Sequence, residues 1–442
     1  MKRSISFGTA VLAATVSVWA ADPASKPAPI AVKDLPVIKE MPDPLTMNDG
    51  TKVTTPAQWQ ARRKEMIKLL EDYEYGHMPP PPGNVVGKET VAAHVITIGA
   101  SSGGLGGPGL RGGRAGPATP PAASAPATVA SNPASGPALP EANYKMVHLS
   151  FGPDQKLGFD MGIFTPVVPE TIQIRATTRR EPPPFPLLIC LGFGANEASL
   201  GANIAALNRG YAVATIGYNQ LGADAPNYRS TAFFPAYPDY DWNDFSAWAW
   251  GLMRAVDYLV TDAAIDKNKI MVTGTSRTGQ AAFLAGAFDE RIALTAPVAG
   301  GMALRWSGKE VGDKLGQGIA EVVDQQTYWF GPRLPEFKGH LYQLPTDQHF
   351  LVALTAPRLF IMCNSMADQY GRPLAAVKTY EAAKPVYEFL KVPDNVGLSF
   401  RPGGHGMQAA DWSALLDFAD QKLLKKPGDR KFDIIPPADQ LK

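Results

Sequence analysis

Three β-type runs constrain this chain more than any other feature: "FPLLICLGFG" at 185–194, "KIMVTG" at 269–274 and "APRLFIMCN" at 356–364. The first is a continuous apolar run of the kind expected for a strand buried on both sides, and the other two read as further strands of the same sheet. Between and after them lie segments with helical spacing of apolar and small residues, "DFSAWAWGLMRAVDYLV", "GQAAFLAGAFD" and "DWSALLDFADQKLL". Further strand patterns, "GFDMGIFTP", "GYAVATIGY" and "VGLSFRPGG", keep the same rhythm, and internal repeats are not evident. Strands alternating with helices predict an α/β fold with a mostly parallel central sheet covered by helices on both faces.

The rest of the chain is organised around that body. From Pro56, "PAQWQARRKEMIKLLEDYEYGHMP" places Trp59, Met66, Leu69, Leu70 and Tyr73 on one helical face before proline stops it. Residues 100–142 are Gly, Ala, Pro and Ser with few apolar side chains; they are expected to form a disordered insertion between neighbouring strands at 95–99 and 144–151. The catalytic body is assigned to 56–426, preceded by a Pro-rich surface segment at 21–55 and followed by a tail at 427–442.

The first 20 residues, "MKRSISFGTAVLAATVSVWA", have the charged start, apolar middle and small-residue end of a secretory signal, with cleavage expected after Ala20. The expected protein is therefore exported, periplasmic or secreted, and keeps no membrane span. With 42 basic against 41 acidic side chains, nothing in the charge argues for nucleic acid or an anionic membrane as partner. The expected working unit is a monomer. Only two cysteines occur, Cys190 and Cys363, each inside a buried-strand pattern where a free thiol packs as a small hydrophobe. No cysteine cluster suits a metal.

Ser276 stands where "KIMVTGTSRTG" turns from strand into a small-residue helix. A serine there sits on a sharp turn with its hydroxyl above the sheet edge and helix amides ready for an oxyanion. Serine is also a favoured helix cap, and the string departs from G-x-S-x-G by carrying Thr278 where the second glycine is usual. The local string alone leaves both readings open. A nucleophile needs a base, and of six histidines His405, in "RPGGHGMQ" after a strand, is the best placed; His349 opens an apolar helix and reads as structural. Asp368, a few residues past "RLFIMCN", is the candidate acid, with Asp347 the runner-up whose position before a helix better suits capping. The order Ser276, Asp368, His405 is that of an α/β-hydrolase.

The segment "VTGTSRTGQAAFLAGAFDERIALTAP" resembles the glucuronoyl esterases, carbohydrate esterase family 15, whose signature is G-C-S-R-x-G-K, a small-residue helix and F-D-x-R-I. The likeness continues through "YWFG", "LPTDQHFLVALTAPRLF" and "RPGGHGM", from about Tyr73 to Leu424. The resemblance implies an α/β-hydrolase that cleaves glucuronate esters joining xylan to lignin alcohols, with no metal or cofactor and a carbohydrate ester as its partner. It implies Ser276 and His405 as nucleophile and base, and Arg277 as an oxyanion residue. The loop after Cys190, through Phe193 and Gly194, is where such a fold places a second oxyanion amide.

The departures are as informative. Ala299 replaces a glutamate that serves many members as the acid, and Asp368 fits the alternative location. Gln280 replaces a lysine that contacts uronate hydroxyls, Gln326 replaces a glutamate, and Thr275 replaces a cysteine. Trp329 and Tyr370 are candidate substrate-binding aromatics beside Gln280 and Gln326. These changes leave two further readings: an esterase for another carbohydrate or aryl ester, or a catalytically silent carbohydrate-binding protein.

Overall fold

Nine strands form one sheet in the order β1-β2-β3-β5-β4-β6-β7-β8-β9. The computed structural model describes residues 29–98, 141–167, 183–300, 303–306 and 317–441. The expected signal at 1–20 and nearly all of the insertion at 100–142 lie outside them. The strands are β1 (Val86–Thr97), β2 (Glu141–Phe151), β3 (Leu157–Pro166), β4 (Phe185–Gly192), β5 (Ala212–Gly217), β6 (Ile265–Thr275), β7 (Ile292–Val298), β8 (Leu359–Ser365) and β9 (Val396–Arg401). From β5 through β9 neighbouring pairs are parallel, whereas β1, β2 and β3 are antiparallel to their neighbours.

The apolar runs are buried on both faces, as continuous runs require. Leu187, Ile189 and Leu191 of β4 enter one core cluster while Leu188 and Cys190 enter the other; in β6, Ile270 and Val272 oppose Met271. Helices α3 (Asp244–Leu259), α4 (Arg277–Phe288) and α6 (His349–Thr355) contribute to the first cluster, and α8 (Ala409–Phe418) to the second. The remaining helices are α1 (Pro56–Leu70), α2 (Ile204–Asn208), α5 (Ile319–Gln325) and α7 (Pro373–Phe389). Helix α7 absorbs "PVYEFL" despite Pro385 inside it.

Helix α1 begins with Pro56 behind a Thr55–Gln58 capping box, which satisfies donors the first turn cannot bond internally. Its Trp59, Met66 and Leu70 are buried, with Tyr73 in the wider turn that follows. Strands β1 and β2 pair directly across the insertion; β2 starts at Glu141, earlier than expected, because Glu141 and Ala142 continue the ladder opposite Thr97 and Ile96. The Pro-rich segment is less peripheral than its composition suggests. Val32, Leu35 and Val53 are buried, and Ile38 N donates to Tyr342 O at 2.6 Å, because spaced apolar residues give it anchors on the body. Both cysteines are free and buried. No helix among the described residues is long and apolar enough to cross a membrane.

Candidate active site

Ser276 joins β6 to α4 with φ 58° and ψ −126°, a strained conformation for a residue with a side chain. Ser276 occupies the N-cap position of α4, but among the described residues its hydroxyl makes no capping bond to the helix. Three features hold the turn: Ser276 N donates to Val298 O at 2.8 Å, Thr275 N donates to Thr278 Oγ1 at 2.9 Å, and that hydroxyl donates to Thr275 O at 2.9 Å. Thr278 thus closes the turn with its own side chain. A Cβ on Gly274 would lie 2.4 Å from Thr278 O, so strand and helix approach this closely only over glycine.

Parallel strands end on one edge of the sheet, and β6, β8 and β9 deliver Ser276, Asp368 and His405 there. His405 Nδ1 lies 2.8 Å from Asp368 Oδ1, with the carboxylate fully buried and the imidazole about one quarter exposed. The same oxygen accepts Tyr370 N at 2.9 Å and Gly371 N at 2.7 Å. Asp368 Oδ2 is buried without a partner among the described residues. A Cβ on Gly371 would meet that oxygen at 2.8 Å and Ala299 O at 3.3 Å, while one on Gly300 would lie 3.0 Å from Ser276 O. Ala299 and Gly300 therefore touch both the serine turn and the aspartate turn. Among the described residues no hydrogen bond joins Ser276 Oγ to His405; bonds of this kind commonly close only in the substrate complex.

The loop carrying His405 is held from below. Arg401, 5% exposed, pairs through Nε with Asp411 Oδ2 at 2.5 Å, and its Nη2 donates to the carbonyls of Gly404 and Gly406. Ser365 Oγ donates to Gly404 O at 2.8 Å. Both flanks of His405 are fixed while its own backbone keeps glycine neighbours.

Phe193 and Gly194 follow β4, and the exposed Phe193 ring sits edge-on to Tyr218 at 5.6 Å. The Arg277 guanidinium lies over the same Tyr218 ring at 5.5 Å and donates to Asp224 Oδ2. Asp224 Oδ1 accepts Trp329 Nε1 at 2.7 Å. Trp329 is packed 5.1 Å from Phe245, and its backbone N–H donates to Gln326 O at 3.1 Å. Gln326 Oε1 is buried without a partner among the described residues. Tyr370 is half exposed, its ring 5.0 Å from that of His405.

Gln280 belongs to a buried network behind α4. Its Nε2 donates to Tyr75 OH at 2.8 Å and to Gln348 Oε1 at 2.7 Å, and Gln348 Nε2 donates to Glu74 Oε2 at 2.7 Å. Burial first, and Asp347 second, push the Glu74 carboxyl up to about 8. Asp347 accepts the amides of Leu304, Arg305 and Gln348, so it braces backbone rather than facing His405. His349 is buried against Pro42 O at 2.6 Å, and burial lowers its pKa to about 4. Sequence reasoning missed Asp224, Arg401, Glu74 and Gln348, since a loop aspartate or a helix-start glutamine carries no pattern of its own. Among the described residues no group of three or more His, Cys, Asp or Glu could hold a metal ion.

Residues 167–391 match the family model described as "Glucuronyl esterase, fungi". The chain is 30% identical over 384 residues to a 4-O-methyl-glucuronoyl methylesterase of Phanerochaete carnosa, covering 84% of this chain and 77% of that protein. It is 28% identical over 476 residues to carbohydrate esterase MZ0003 from an unknown prokaryotic organism, covering 93% and 97%. Among solved structures, a carbohydrate esterase family 15 glucuronoyl esterase from Caldicellulosiruptor kristjansonii superposes with a TM-score of 0.68 at 26% identity, over 92% of this chain and 96% of that one.

Proposed function

The chain belongs to the glucuronoyl esterases of carbohydrate esterase family 15 and is a carboxylic ester hydrolase, and from that premise we propose that it cleaves 4-O-methyl-glucuronate esters with Ser276, His405 and Asp368 as its catalytic residues. Ser276 Oγ attacks the ester carbonyl while His405 Nε2 takes its proton, and the tetrahedral oxyanion is met by Arg277 and the amides at Phe193 and Gly194. Collapse expels the alcohol, which leaves with the proton returned by Nε2. Water then attacks the acyl-enzyme by the same exchange and releases the uronic acid. Asp368 fixes the imidazole through Nδ1 and offsets its charge when Nε2 is protonated.

The observation that carries the reading is the 2.8 Å Asp368–His405 pair on the sheet edge where Ser276 is held at positive φ. Tyr370 and Trp329 serve as the substrate walls, and Gln326 acts on the sugar side. Natural substrates are proposed to be xylan glucuronates esterified to lignin alcohols, met by a monomeric enzyme exported under its N-terminal signal.

A second reading is favoured by one contact. An amide nitrogen has two N–H donors, and those of Gln280 point to Tyr75 and Gln348, so the donation a lysine would make to a uronate hydroxyl is missing. An ester of another sugar or an aryl ester would not need it. Hydrolysis of benzyl glucuronate beside an aryl acetate separates the two: the proposal expects the glucuronate ester to have the higher kcat/KM, and the reverse order would reassign the substrate.

A further inference from the structure

Hydrolysis turns an acyl group that is neutral at the reacting carbon into a carboxylate anion. A free guanidinium one residue past the nucleophile would hold that anion through paired charge-assisted hydrogen bonds, and product release would suffer. The Arg277 charge is not free. Its Nη1 donates to Asp224 Oδ2, and Asp224, with its side chain only 11% exposed, is held from the other side by Trp329 Nε1 at 2.7 Å. The guanidinium also lies 5.5 Å over the Tyr218 ring that abuts Phe193, which places this pair beside the loop after β4.

Resting on the glucuronoyl esterase reading above, we propose that Asp224 is a positioning residue that offsets the charge of Arg277, leaving N–H donors for the transient oxyanion while denying the acid product a net cation to bind. Neighbouring Asp244 is buried, and burial first, with the Asp224 charge second, pushes its carboxyl up to about 9. The carboxyl group in direct contact with Arg277 is that of Asp224. An asparagine at position 224 would keep an acceptor for Trp329 but remove that charge.

The test uses the full chain, methyl glucuronate as substrate and free glucuronate as competitive inhibitor. Asp224→Asn is expected to tighten the glucuronate inhibition constant about tenfold, the scale of one hydrogen bond to a charged group, with KM for the neutral ester nearly unchanged. The double variant Asp224→Asn/Arg277→Gln should return the inhibition constant to the parent value. Structural damage would weaken product and ester together, so a tightening for the anion alone is specific. An unchanged or weaker inhibition constant in folded Asp224→Asn would overturn the proposal. Should that variant fail to fold, Arg277→Gln alone decides: little change in glucuronate affinity is expected, and a loss of tenfold or more would show that Arg277 already binds the product. A parent protein that leaves the methyl ester intact would instead overturn the substrate reading, and this inference with it.

Discussion

Replacing Glu74 by glutamine should give the protein a stability advantage over the parent that grows as pH rises from mild acid to mild alkali. The carboxyl is fully buried, with Oε2 accepting Gln348 Nε2 at 2.7 Å and Oε1 bonded to the Thr346 hydroxyl. A glutamine fits the same partners as a protonated glutamate, since its oxygen accepts from Gln348 and its amide donates to Thr346. Burial, reinforced by Asp347, raises the pKa from 4.5 to about 8. The folded state therefore holds this proton more tightly than the unfolded chain. The stability it contributes is fully present below pH 4.5 and is lost as pH rises through 8. Between pH 6 and pH 9 linkage puts that loss at about 2.5 kcal/mol, an order-of-magnitude figure that solvent entry would lower. Chemical denaturation of parent and Glu74→Gln at pH 6, 7.5 and 9 measures it, and the difference between the proteins cancels other titrating groups. The expected result is an advantage for the variant that is larger at pH 9 than at pH 6 by about 2.5 kcal/mol at most. A variant weaker by 2 kcal/mol or more at both pH values, on the scale of a buried polar group left unpaired, would refute the reasoning.

Two further outcomes follow from the site's scaffolding. Gly274→Ala drives a Cβ to 2.4 Å from the Thr278 carbonyl, which is backbone and cannot swing away; a loss of about 1–3 kcal/mol by thermal melting and a fall in kcat of about 100-fold are expected. Arg401→Lys keeps one charge for Asp411 but loses the fork that also holds the Gly404 and Gly406 carbonyls; kcat should fall about tenfold with KM little changed, because the loop aiming His405 loosens.

The fold was legible where the physics is local. Runs such as "FPLLICLGFG" have no polar face to show solvent, so a doubly covered sheet was the only economical arrangement, and helices α3, α4 and α8 follow from their spacing. The approach of Asp368 to His405 was expected from strand order and from the family resemblance, and their Oδ1 and Nδ1 lie 2.8 Å apart. What stayed hidden depends on side chains meeting across long separations. Asp224 reaches Arg277 53 residues away and Trp329 105 residues away, and Gln280 is tied to Tyr75 at a separation of 205. No periodicity encodes such meetings. The Pro-rich leader was read from composition as peripheral, whereas three spaced apolar residues, Val32, Leu35 and Val53, anchor it.

The proposed mechanism has His405, held by Asp368, activate Ser276. Its most direct test is the rate of labelling by a fluorophosphonate, with the modified peptide identified by mass. The expected result is fast labelling confined to Ser276, absent in Ser276→Ala and slowed about 10²–10⁴-fold in Asp368→Asn. Labelling at another serine, or an Asp368→Asn rate equal to that of the parent, would contradict the account.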